Sequence, residues 1–519
     1  MARHTMNRRK LPIGIQSFAK IRSGDYYYVD KTALALELID GGSHYFLSRP
    51  RRFGKSLFLD TLKELFEGNE PLFQSLAVHD QWDWSVKYPV LRFSFGRKNY
   101  STAESLQYSL HTQLTHLEDQ FGVTPRFEDA DGRFSDLIVK IQQTTELPIV
   151  ILVDEYDKPI LDALQDKELA RTNRDILRGF YGAIKDHDAQ IKFTFLTGVS
   201  KFSKVSLFSG LNNLKDITLD PRYSTLCGYT DEDIDTVFEP ELTGLDRDEI
   251  RTWYNGYNWL GEGVYNPFDI LQLFDNREFG NYWFETGTPT FLVDLLLERH
   301  VPSLALDRMS SSSSMLSSFD VDDMTTEALL FQTGYLTIKS RRQLGGQMYY
   351  ILGYPNQEVY QGLNELLLST FTQNKSAQSD QSILLYDLLE ANDFEGLNAL
   401  FHAFFASIPH HWYTSNNIQS FEGYYASVFY SHFAALGLDV TVEDCTNHGR
   451  LDMTLKFNKQ VYLFEFKVVE LAPKGKALQQ IKDKQYADKY RDLNQPIHLI
   501  GVEFSKDDRN IVGFEVETA

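Results

Sequence analysis

The chain has 519 residues, of which 42% are hydrophobic and 14% aromatic, and this length and composition are typical of a globular protein with several domains. No run approaches the ~20 consecutive apolar residues that cross a bilayer, and the first residues lack a secretion signal, so we expect a cytoplasmic protein with no membrane partner. The formal net charge of -21 excludes a surface that binds nucleic acid throughout, and two cysteines without metal-ligand spacing exclude a disulfide framework or a zinc cluster.

The first predicted elements with a chemical signature are a strand and a helix joined by a tight turn. The apolar run SHYFLS at 43–48 is followed by RPRRFGKS at 49–56. Apolar residues then recur at helical spacing, which predicts a helix that begins near Lys55 and ends near Gly68. Because N–H groups at the start of a helix and the helix dipole attract phosphate, this order of elements indicates a phosphate-binding loop.

Lys55 and Ser56 have specific predicted roles in holding a nucleotide. Lys55 reaches the β- and γ-phosphates, and Ser56 holds Mg²⁺. Arg49 stands where such loops usually have a glycine, and the proline and arginines that follow make the loop stiffer and more positive. The alternative is a helix start that reads Gly-Lys-Ser by coincidence. The residues of the turn predicted to bind ATP are Arg51, Arg52, Phe53, Gly54, Lys55 and Ser56.

Two further strands are predicted to end at the same site. PIVILVDEYD at 148–157 is a buried strand that ends in the carboxylates of Asp154 and Glu155. In a parallel sheet the carboxyl ends of the strands carry the ligand, so we predict that Asp154 holds Mg²⁺ through water and that Glu155 polarises the attacking water. IKFTFLTGVSKF at 191–202 ends in Thr197 and Ser200, either of which would sense the γ-phosphate from the neighbouring strand. A solvated strand end and an ordinary turn residue remain as alternatives.

The distribution of predicted elements divides the chain into three regions. Short apolar runs alternate with helical stretches in residues 1–230, which predicts an α/β domain with the parallel sheet of a P-loop NTPase. Residues 231–370 are predicted to be a mostly helical connector or lid, with a loop at the serine-rich run 309–318. Residues 371–519 are predicted to hold a helical lead-in and a mixed α/β unit.

The last region contains GRLDMTLKFNKQVYLFEFKVVE at 449–470, which alternates as the two strands of a hairpin. With the turn at Asn458 and Lys459, counting outward places Asp452 opposite Glu465, and Lys467 lies on the same face as Glu465. Two facing carboxylates destabilise a sheet unless a cation or a proton lies between them. We therefore predict that this pair binds Mg²⁺ for phosphodiester cleavage and that Lys467 orients the attacking water or stabilises the pentavalent phosphate.

Two neighbouring features are predicted to complete this site. Glu422, in the preceding helical stretch, is an outer-shell or second-metal carboxylate. The segment 474–491 has six basic residues and two Asp, and it would attract phosphate locally. The alternatives are that the acids are exposed strand and helix charges and that the basic segment is a solvated helix face.

Several motifs occur in a fixed order along nearly the whole chain. They are RPRRFGKS, LVDEYDKPI, GRLDM, FEFK and ALQQIKDKQYADKY, together with YYYVDKT at 26–32, WYNGYNW at 253–259, VYNPFDIL at 264–271 and TGYLTIK at 333–339. With these motifs the chain resembles bacterial proteins of unknown function that join an AAA-ATPase-like domain to a C-terminal PD-(D/E)XK nuclease-superfamily domain. The resemblance implies that the arginine in place of the usual loop glycine is a family variant.

The resemblance also implies a restriction-endonuclease-like fold for the last region. It assigns the nuclease motif to Asp452, Glu465 and Lys467, with Glu422 on the preceding helix and Gln480 on the following one. The resemblance does not supply a physiological substrate. The function we favour from the two sites is ATP binding and hydrolysis coupled to a Mg²⁺-dependent nuclease in DNA restriction, repair or defence, with DNA favoured over RNA as the partner. The alternative is a nucleotide-switched protein whose nuclease-like domain only binds nucleic acid or a protein. A homo-oligomer is left open.

Overall fold

The structure is a computed structural model that describes residues 8–201, 213–287, 292, 295, 296, 299, 303–316, 321, 324–372, 375–407, 422–446, 448–470 and 475–519. The chain divides into two compact units. The first comprises Met1–Gly287 and Met309–Asn356, and the second comprises Thr288–Arg308 and Gln357–Ala519. No helix in the described part of the chain is both long and apolar enough to cross a membrane.

The first unit is built on a five-stranded parallel sheet with the strand order β2-β3-β4-β1-β5. The parallel sheet predicted from the apolar runs is confirmed, whereas the two-residue strand β5 has no sequence signal. The central strands are almost entirely buried because helices cover both faces of the sheet. The strands are β1 His44–Ser48, β2 Val90–Ser94, β3 Ile149–Asp154, β4 Ile191–Gly198 and β5 Lys215–Asp216.

The helices of the first unit begin where polar side chains accept backbone N–H groups. Thr102, Asp129 and Asp166 cap three of the long helices in this way. The helices are α1 Phe18–Ser23, α2 Thr32–Gly41, α3 Lys55–Phe66, α4 Ala103–Phe121, α5 Ala130–Thr145, α6 Lys158–Leu161, α7 Lys167–Asp186, α8 Asp231–Val237, α9 Arg247–Tyr254, α10 Pro267–Asn276, α11 Tyr282–Gly287, α12 Ser313–Leu316 and α13 Thr326–Thr333. Short 3-10 helices lie at Glu70–Phe73, His79–Gln81, Asp188–Gln190, Pro221–Tyr223 and Glu239–Glu241.

The mostly helical middle region predicted from the sequence is confirmed, and it also contains a second sheet that was not predicted. Strands β6 Ser310–Ser312, β7 Thr337–Leu344 and β8 Gln347–Gly353 form an antiparallel sheet in the order β6-β8-β7. The helices predicted for 231–370 are present, but this sheet interrupts them. The loop predicted for the serine-rich run is wrong at residues 310–316, because three serines pair with β8 and a short helix follows.

The second unit contains a five-stranded mixed sheet with the order β13-β12-β11-β10-β9, in which only β11 and β12 run parallel. This confirms the predicted mixed α/β unit. Its strands are β9 Asp439–Thr446, β10 Gly449–Phe457, β11 Gln460–Val469, β12 Ile497–Ser505 and β13 Ile511–Thr518. Its helices are α14 Gln357–Thr372, α15 Lys375–Ala391, α16 Phe394–Ser407, α17 Glu422–Ala435 and α18 Lys476–Asp483, with 3-10 helices at Ser303–Arg308 and Tyr486–Leu493.

Two apolar cores lie on the two faces of this mixed sheet. Helices α16 and α17 contribute Phe401 and Phe429 to the larger core, which includes Phe464 and Phe466 of β11. Helix α18 contributes Ile481 to the smaller core, together with residues of β10, β11 and β12. Alternate residues of β11 therefore enter opposite cores, and the odd-numbered positions of this strand face α18.

His432 on α17 lies in the larger core and makes the stability of the second unit depend on pH. Its ring lies 4.4 Å from that of Phe404, and burial lowers its pKa to about 3. The native state therefore keeps the imidazole neutral, whereas the unfolded chain takes up a proton below about pH 6.5. Stability is fully present above that pH and falls as the pH decreases towards the native pKa.

We expect the free energy of unfolding of the second unit to fall by about 2 kcal/mol between about pH 7 and about pH 5 through this residue. Denaturant unfolding at several pH values measures it. His432→Leu should remove most of that slope, whereas His402→Gln, at an exposed position of α16, should leave it unchanged. A His432→Leu variant with the slope of the wild type would contradict the assignment.

Candidate functional site

The loop between β1 and α3 has the geometry of a phosphate cradle. β1 ends at Ser48 and α3 begins at Lys55, as predicted. Gly54 precedes the helix with a left-handed φ of 89°, a conformation that glycine adopts without strain. The first N–H groups of α3, which have no carbonyl partner within the helix, therefore follow directly from the turn.

Arg49 anchors this loop from beneath. Its guanidinium is fully buried and donates to the carbonyls of Ser48 at 2.8 Å, Thr218 at 2.9 Å and Tyr223 at 3.2 Å. It also stacks on Trp259, with its central carbon 4.1 Å from the ring centroid. Burial lowers the pKa of Arg49 to about 10, so the group is charged at neutral pH. The arginine thus ties the loop to the segment after β5.

Lys55 places its ammonium inside the loop. The Nζ atom donates to the carbonyl oxygens of Arg49 at 2.9 Å and Pro50 at 2.8 Å. Burial lowers the pKa of Lys55, and the nearby carboxylates of Glu155 and Asp154 oppose that shift. The positive charge is therefore held where the loop and the acidic strand end face each other.

A cavity of about 560 Å³ opens in front of this loop. That volume is within the range of small-molecule sites, which is ~300–1,000 Å³. Arg52 has a left-handed φ of 66°, and its guanidinium stacks 4.2 Å from the ring centroid of Phe268 on one wall. The cavity-lining residues that matter for a nucleotide are Arg51, Gly54, Lys55, Ser56, Glu155 and Phe268.

The acidic end of β3 contributes three carboxylates rather than the two predicted. Glu155 has a left-handed φ of 53°, and burial with the neighbouring Asp154 raises its pKa. Asp157, which the sequence reasoning missed, is buried and accepts the N–H of Val199 at 3.0 Å and both the N–H and the hydroxyl of Ser200 at 2.6 Å. Asp157 therefore fixes the end of β4 beside the loop, and its place in the DEYD motif was the available signal.

Two residues predicted to contact the nucleotide, Thr197 and Phe53, make other contacts in the structure. The Thr197 hydroxyl donates to the Leu47 carbonyl at 3.0 Å, and this hydrogen bond links β4 to β1. The Phe53 ring is buried against Tyr257 and Trp259, with centroid distances of 4.7 and 5.4 Å. Phe53 therefore supports the loop from the side of the core, and only its backbone lies in the loop itself.

The acidic residues at this loop suit a hydrated magnesium ion. Asp154 is 4% exposed, and its Oδ1 atom has no hydrogen-bond partner among the described residues. Buried polar atoms are normally satisfied, and a magnesium-bound water is a fitting donor to a carboxylate. Ser56, at the start of α3 on the cavity wall, is the residue that would hold the ion directly.

In the second unit, the β10–β11 hairpin has the predicted register. Phe457 pairs with Gln460, and the two turn residues Asn458 and Lys459 have φ values of 48° and 59°. Both are left-handed, as a two-residue type I′ turn requires. The regular pairing reaches Met453 and Phe464, one residue short of the two acids.

The two acids meet at that end of the hairpin. The Asp452 carboxylate accepts the Phe466 N–H at 2.8 Å, which places it beside the backbone of β11. Burial and, to a smaller extent, the charge of Asp452 raise the pKa of the Glu465 carboxyl to about 7, while Lys467 opposes the shift. The structure thus brings together the carboxylates that the hairpin count placed opposite each other.

The two carboxylate oxygens of Glu465 differ in their hydrogen bonding. Its Oε1 atom accepts from Lys467 Nζ at 3.1 Å and from the Gln480 side chain on α18. Its Oε2 atom is buried and has no hydrogen-bond partner among the described residues. A buried carboxylate oxygen of this kind, next to a second carboxylate, suits a divalent cation.

The predicted third carboxylate cannot be placed in this way. Glu422 is the first residue of α17, and its side chain lies outside the part of the chain that the structure describes. Within the described part, no group of three or more His, Cys, Asp or Glu side chains is arranged to hold a metal. Two carboxylates still suffice for Mg²⁺, because this ion keeps several of its waters.

Glu503 on β12 is a residue of this site that the sequence reasoning missed. It is buried, and β12 places it beside Lys467 of β11. Its carboxylate accepts the N–H groups of Lys476 at 2.6 Å and Ala477 at 3.3 Å, so it caps the start of α18 and fixes the helix that carries Gln480. A single acid within the apolar strand IHLIGVEFS was the signal.

The basic segment is less available for phosphate than predicted. Lys482 pairs with Glu517, Lys489 pairs with the buried Asp444, and Arg491 pairs with Asp488 at 2.6 Å. Lys474 lies outside the described residues. The exposed cations of this segment without an ion pair to a described carboxylate are Lys476 and Lys484.

Comparison with known proteins relates both sites to families. Residues 12–208 match the family described as predicted AAA-ATPase, and residues 420–514 match the PD-(D/E)XK nuclease superfamily. The chain is 62% identical over 514 residues to a protein of Azotobacter chroococcum mcd 1 described as an uncharacterized protein in the vnfD 5′ region. That alignment covers 99% of this chain and 100% of the relative. The matches confirm the resemblance found in the sequence.

Proposed function

Because this chain belongs to the family that joins a predicted AAA-ATPase domain to a PD-(D/E)XK nuclease-superfamily domain, we propose that it is an ATP-hydrolysing, Mg²⁺-dependent nuclease. The observation that carries the proposal is the buried Glu465 carboxylate, which has one unsatisfied oxygen next to Asp452 and a lysine on its other oxygen. We propose DNA as the substrate, the cytoplasm as the location, and restriction, repair or defence as the role.

In the ATP site, the residues of the chain divide into binding and proton-handling groups. The N–H groups at the start of α3 and the Lys55 ammonium bind the phosphates, and Arg52 with Phe268 forms the wall beside them. Glu155 orients and polarises the attacking water, since its raised pKa makes it a better base than an exposed glutamate. Ser56 and Asp154 would hold Mg²⁺, which supplies charge neutralisation at the phosphates.

In the nuclease site, Asp452 and Glu465 would hold Mg²⁺, which lowers the pKa of a bound water and neutralises charge on the phosphate. Lys467 lies 3.1 Å from Glu465, so its ammonium is positioned to orient the attacking water or to contact the phosphate oxygens. Gln480 holds the same oxygen of Glu465 from the other side. Glu503 positions Gln480 by capping its helix.

A Glu155→Gln variant should separate nucleotide binding from hydrolysis. Glutamine has nearly the same shape but cannot accept a proton from water, so we expect unchanged ATP affinity and hydrolysis slowed by about 10²-fold or more. Calorimetry measures the affinity, and phosphate release measures the turnover. Glu168→Gln, at an exposed position of α7, is the matched control. Hydrolysis at the wild-type rate in Glu155→Gln would remove the glutamate from the mechanism.

The nuclease proposal is tested with purified full-length protein and a mixture of linear duplex, circular duplex and single-stranded substrates. Each is incubated with Mg²⁺ or Mn²⁺, with and without ATP, and with excess chelator as the control. Cleavage that needs the metal and changes with ATP supports the proposal. If every substrate stays intact under all these conditions, the nuclease assignment fails.

The second candidate is a nucleotide-switched binding protein. One observation favours it: Lys467 and Gln480 already satisfy one oxygen of Glu465, and among the described residues no third acid joins Asp452 and Glu465 in a group that could hold a metal. Such a site would bind a phosphate backbone without cutting it. Metal-independent binding of DNA that changes with ATP, in the absence of any cleavage, is the result expected of this function.

A further inference from the structure

Part of the hairpin formed by β7 and β8 is exposed to solvent on both faces. In β7 only the first two residues are buried, and the six residues from Lys339 to Leu344 are exposed. The turn is formed by Gly345 and Gly346, both with positive φ. We call residues Lys339–Tyr349 the ribbon. A strand that is exposed on both faces adds little to a core, so its side chains are available for a partner.

The ribbon is the basic part of a stretch without acids. Residues 328–357 contain no Asp or Glu, although the whole chain has 72 in 519 residues. Lys339, Arg341 and Arg342 lie in this stretch. Neither arginine forms an ion pair with a carboxylate of the described residues, in contrast to most of the basic segment near α18. The ribbon is thus a local basic surface on a protein with a net charge of -21.

The register places the two arginines on opposite faces. Arg341 pairs with Tyr350 and Arg342 pairs with Tyr349, and successive residues of a strand point to opposite sides. The major groove of B-DNA, ~12 Å wide, admits a two-stranded β-ribbon. An arginine on each face of an inserted ribbon would reach the phosphates on each wall of the groove.

We propose that the ribbon enters the groove of double-stranded DNA and that Arg341 and Arg342 bind phosphates on its two sides. This contact lies in the first unit and goes beyond the proposed nuclease site in the second. The charge of the ribbon is complementary to a phosphate backbone, and its tip has no acid that would repel one.

Helix α13, which precedes β7 and the ribbon, ends against the phosphate loop. A side chain at Gly334, which ends α13 just before β7, would place its Cβ 2.7 Å from Pro50. The Trp283 Nε1 atom donates to the Arg51 carbonyl at 3.1 Å, and Gln332 on α13 accepts the Lys201 N–H at 2.8 Å. Bound nucleotide and bound DNA would therefore act on adjacent parts of one unit, and the assay must cover both nucleotide states.

Charged residues on an edge strand have a simpler role, which is to prevent strand pairing between molecules. β7 is such an edge, because β8 separates it from β6. Reversing the charge distinguishes the two roles. Glutamates at both positions would still keep the edge charged, but they would repel phosphate instead of binding it.

The test measures fluorescence anisotropy of a short labelled DNA duplex with full-length protein carrying Glu465→Gln, so that cleavage does not interfere. It is done with no nucleotide and with Mg²⁺ and a slowly hydrolysed ATP analogue. Adding Arg341→Ala and Arg342→Ala should weaken binding about 60-fold at about 0.1 M salt and reduce the slope of log K against log salt by about 1.8, as expected for two lost phosphate contacts. Arg341→Glu with Arg342→Glu should weaken it at least as much.

The control is Lys185→Ala with Lys192→Ala, two exposed lysines of the same unit, which should change the affinity by less than about twofold. Circular dichroism and size-exclusion chromatography check that each variant folds and keeps its oligomeric state. Unchanged DNA affinity and salt slope in the glutamate variant, or no duplex binding by the parent protein in either nucleotide state, would overturn the proposal. Loss of binding in the arginine variants would support it even if the wild type cuts no DNA.

Discussion

A Glu465→Gln variant is expected to bind DNA but not to cut it, with cleavage slowed by at least about 10³-fold. Glutamine keeps the length of the side chain and one oxygen for Lys467 and Gln480. It replaces the buried oxygen that has no described partner by an NH₂ group, which cannot bind a cation. The protein would therefore lose the metal site with little change in packing. Single-turnover cleavage of the substrate found with wild-type protein measures the effect.

The other residues of the site should behave as a unit with Glu465. Asp452→Ala and Lys467→Ala should each abolish cleavage, and a double variant should be no worse than either single one. Lys467→Ala should retain DNA binding better than cleavage, because the metal-binding carboxylates stay in place. Glu517→Gln, at a half-exposed position of β13, is the matched control and should cut normally. Full activity of Glu465→Gln would place the cleavage elsewhere in the chain.

Lys55→Met is expected to reduce ATP affinity by at least about 100-fold. The Lys55 ammonium is buried in the loop near two carboxylates and is the charge placed to bind the β- and γ-phosphates. Methionine preserves most of the volume and so limits damage to the core. Calorimetric titration with a slowly hydrolysed ATP analogue measures the affinity.

The control for this variant is Lys63→Met on the outer side of the same helix. Lys63 is partly exposed and pairs with Glu64 and Glu67 on the same helix, so its loss should leave nucleotide binding unchanged. Equal ATP affinity of Lys55→Met and wild type would remove the nucleotide assignment of the loop. Thermal unfolding of both variants shows whether a loss of affinity follows from a loss of folding.

The parts of the two sites that depend on neighbouring residues were predictable. Helix α3 begins at Lys55 because Gly54 can take a left-handed conformation and the apolar residues that follow repeat at helical spacing. The β10–β11 register follows from the two-residue turn at Asn458 and Lys459, because a hairpin has one pairing once its turn is fixed. That register placed Asp452 and Glu465 at the same end of the hairpin.

The parts that depend on distant segments were not predictable from spacing. The Arg49 side chain is buried because Thr218, Tyr223 and Trp259 meet beneath the loop, and these residues are more than 160 positions away in the chain. The antiparallel sheet within the mostly helical middle region was also not predictable, because two helices lie between β6 and β7 and the serine-rich β6 lacks the apolar alternation that indicates a strand.

By itself, the sequence determined the two kinds of site in this protein: a strand, a glycine turn and a lysine at a helix start, and a hairpin with two carboxylates and a lysine. These are local features, set by backbone conformation and strand alternation within about 25 residues. Only the tertiary structure decided which polar groups already have hydrogen-bond partners. The Thr197 hydroxyl donates to the sheet, Gln480 donates to one oxygen of Glu465, and Glu503 accepts an N–H group at the start of α18. The reason is that hydrogen-bond partners and burial come from segments that the fold brings together, and sequence spacing carries no record of them.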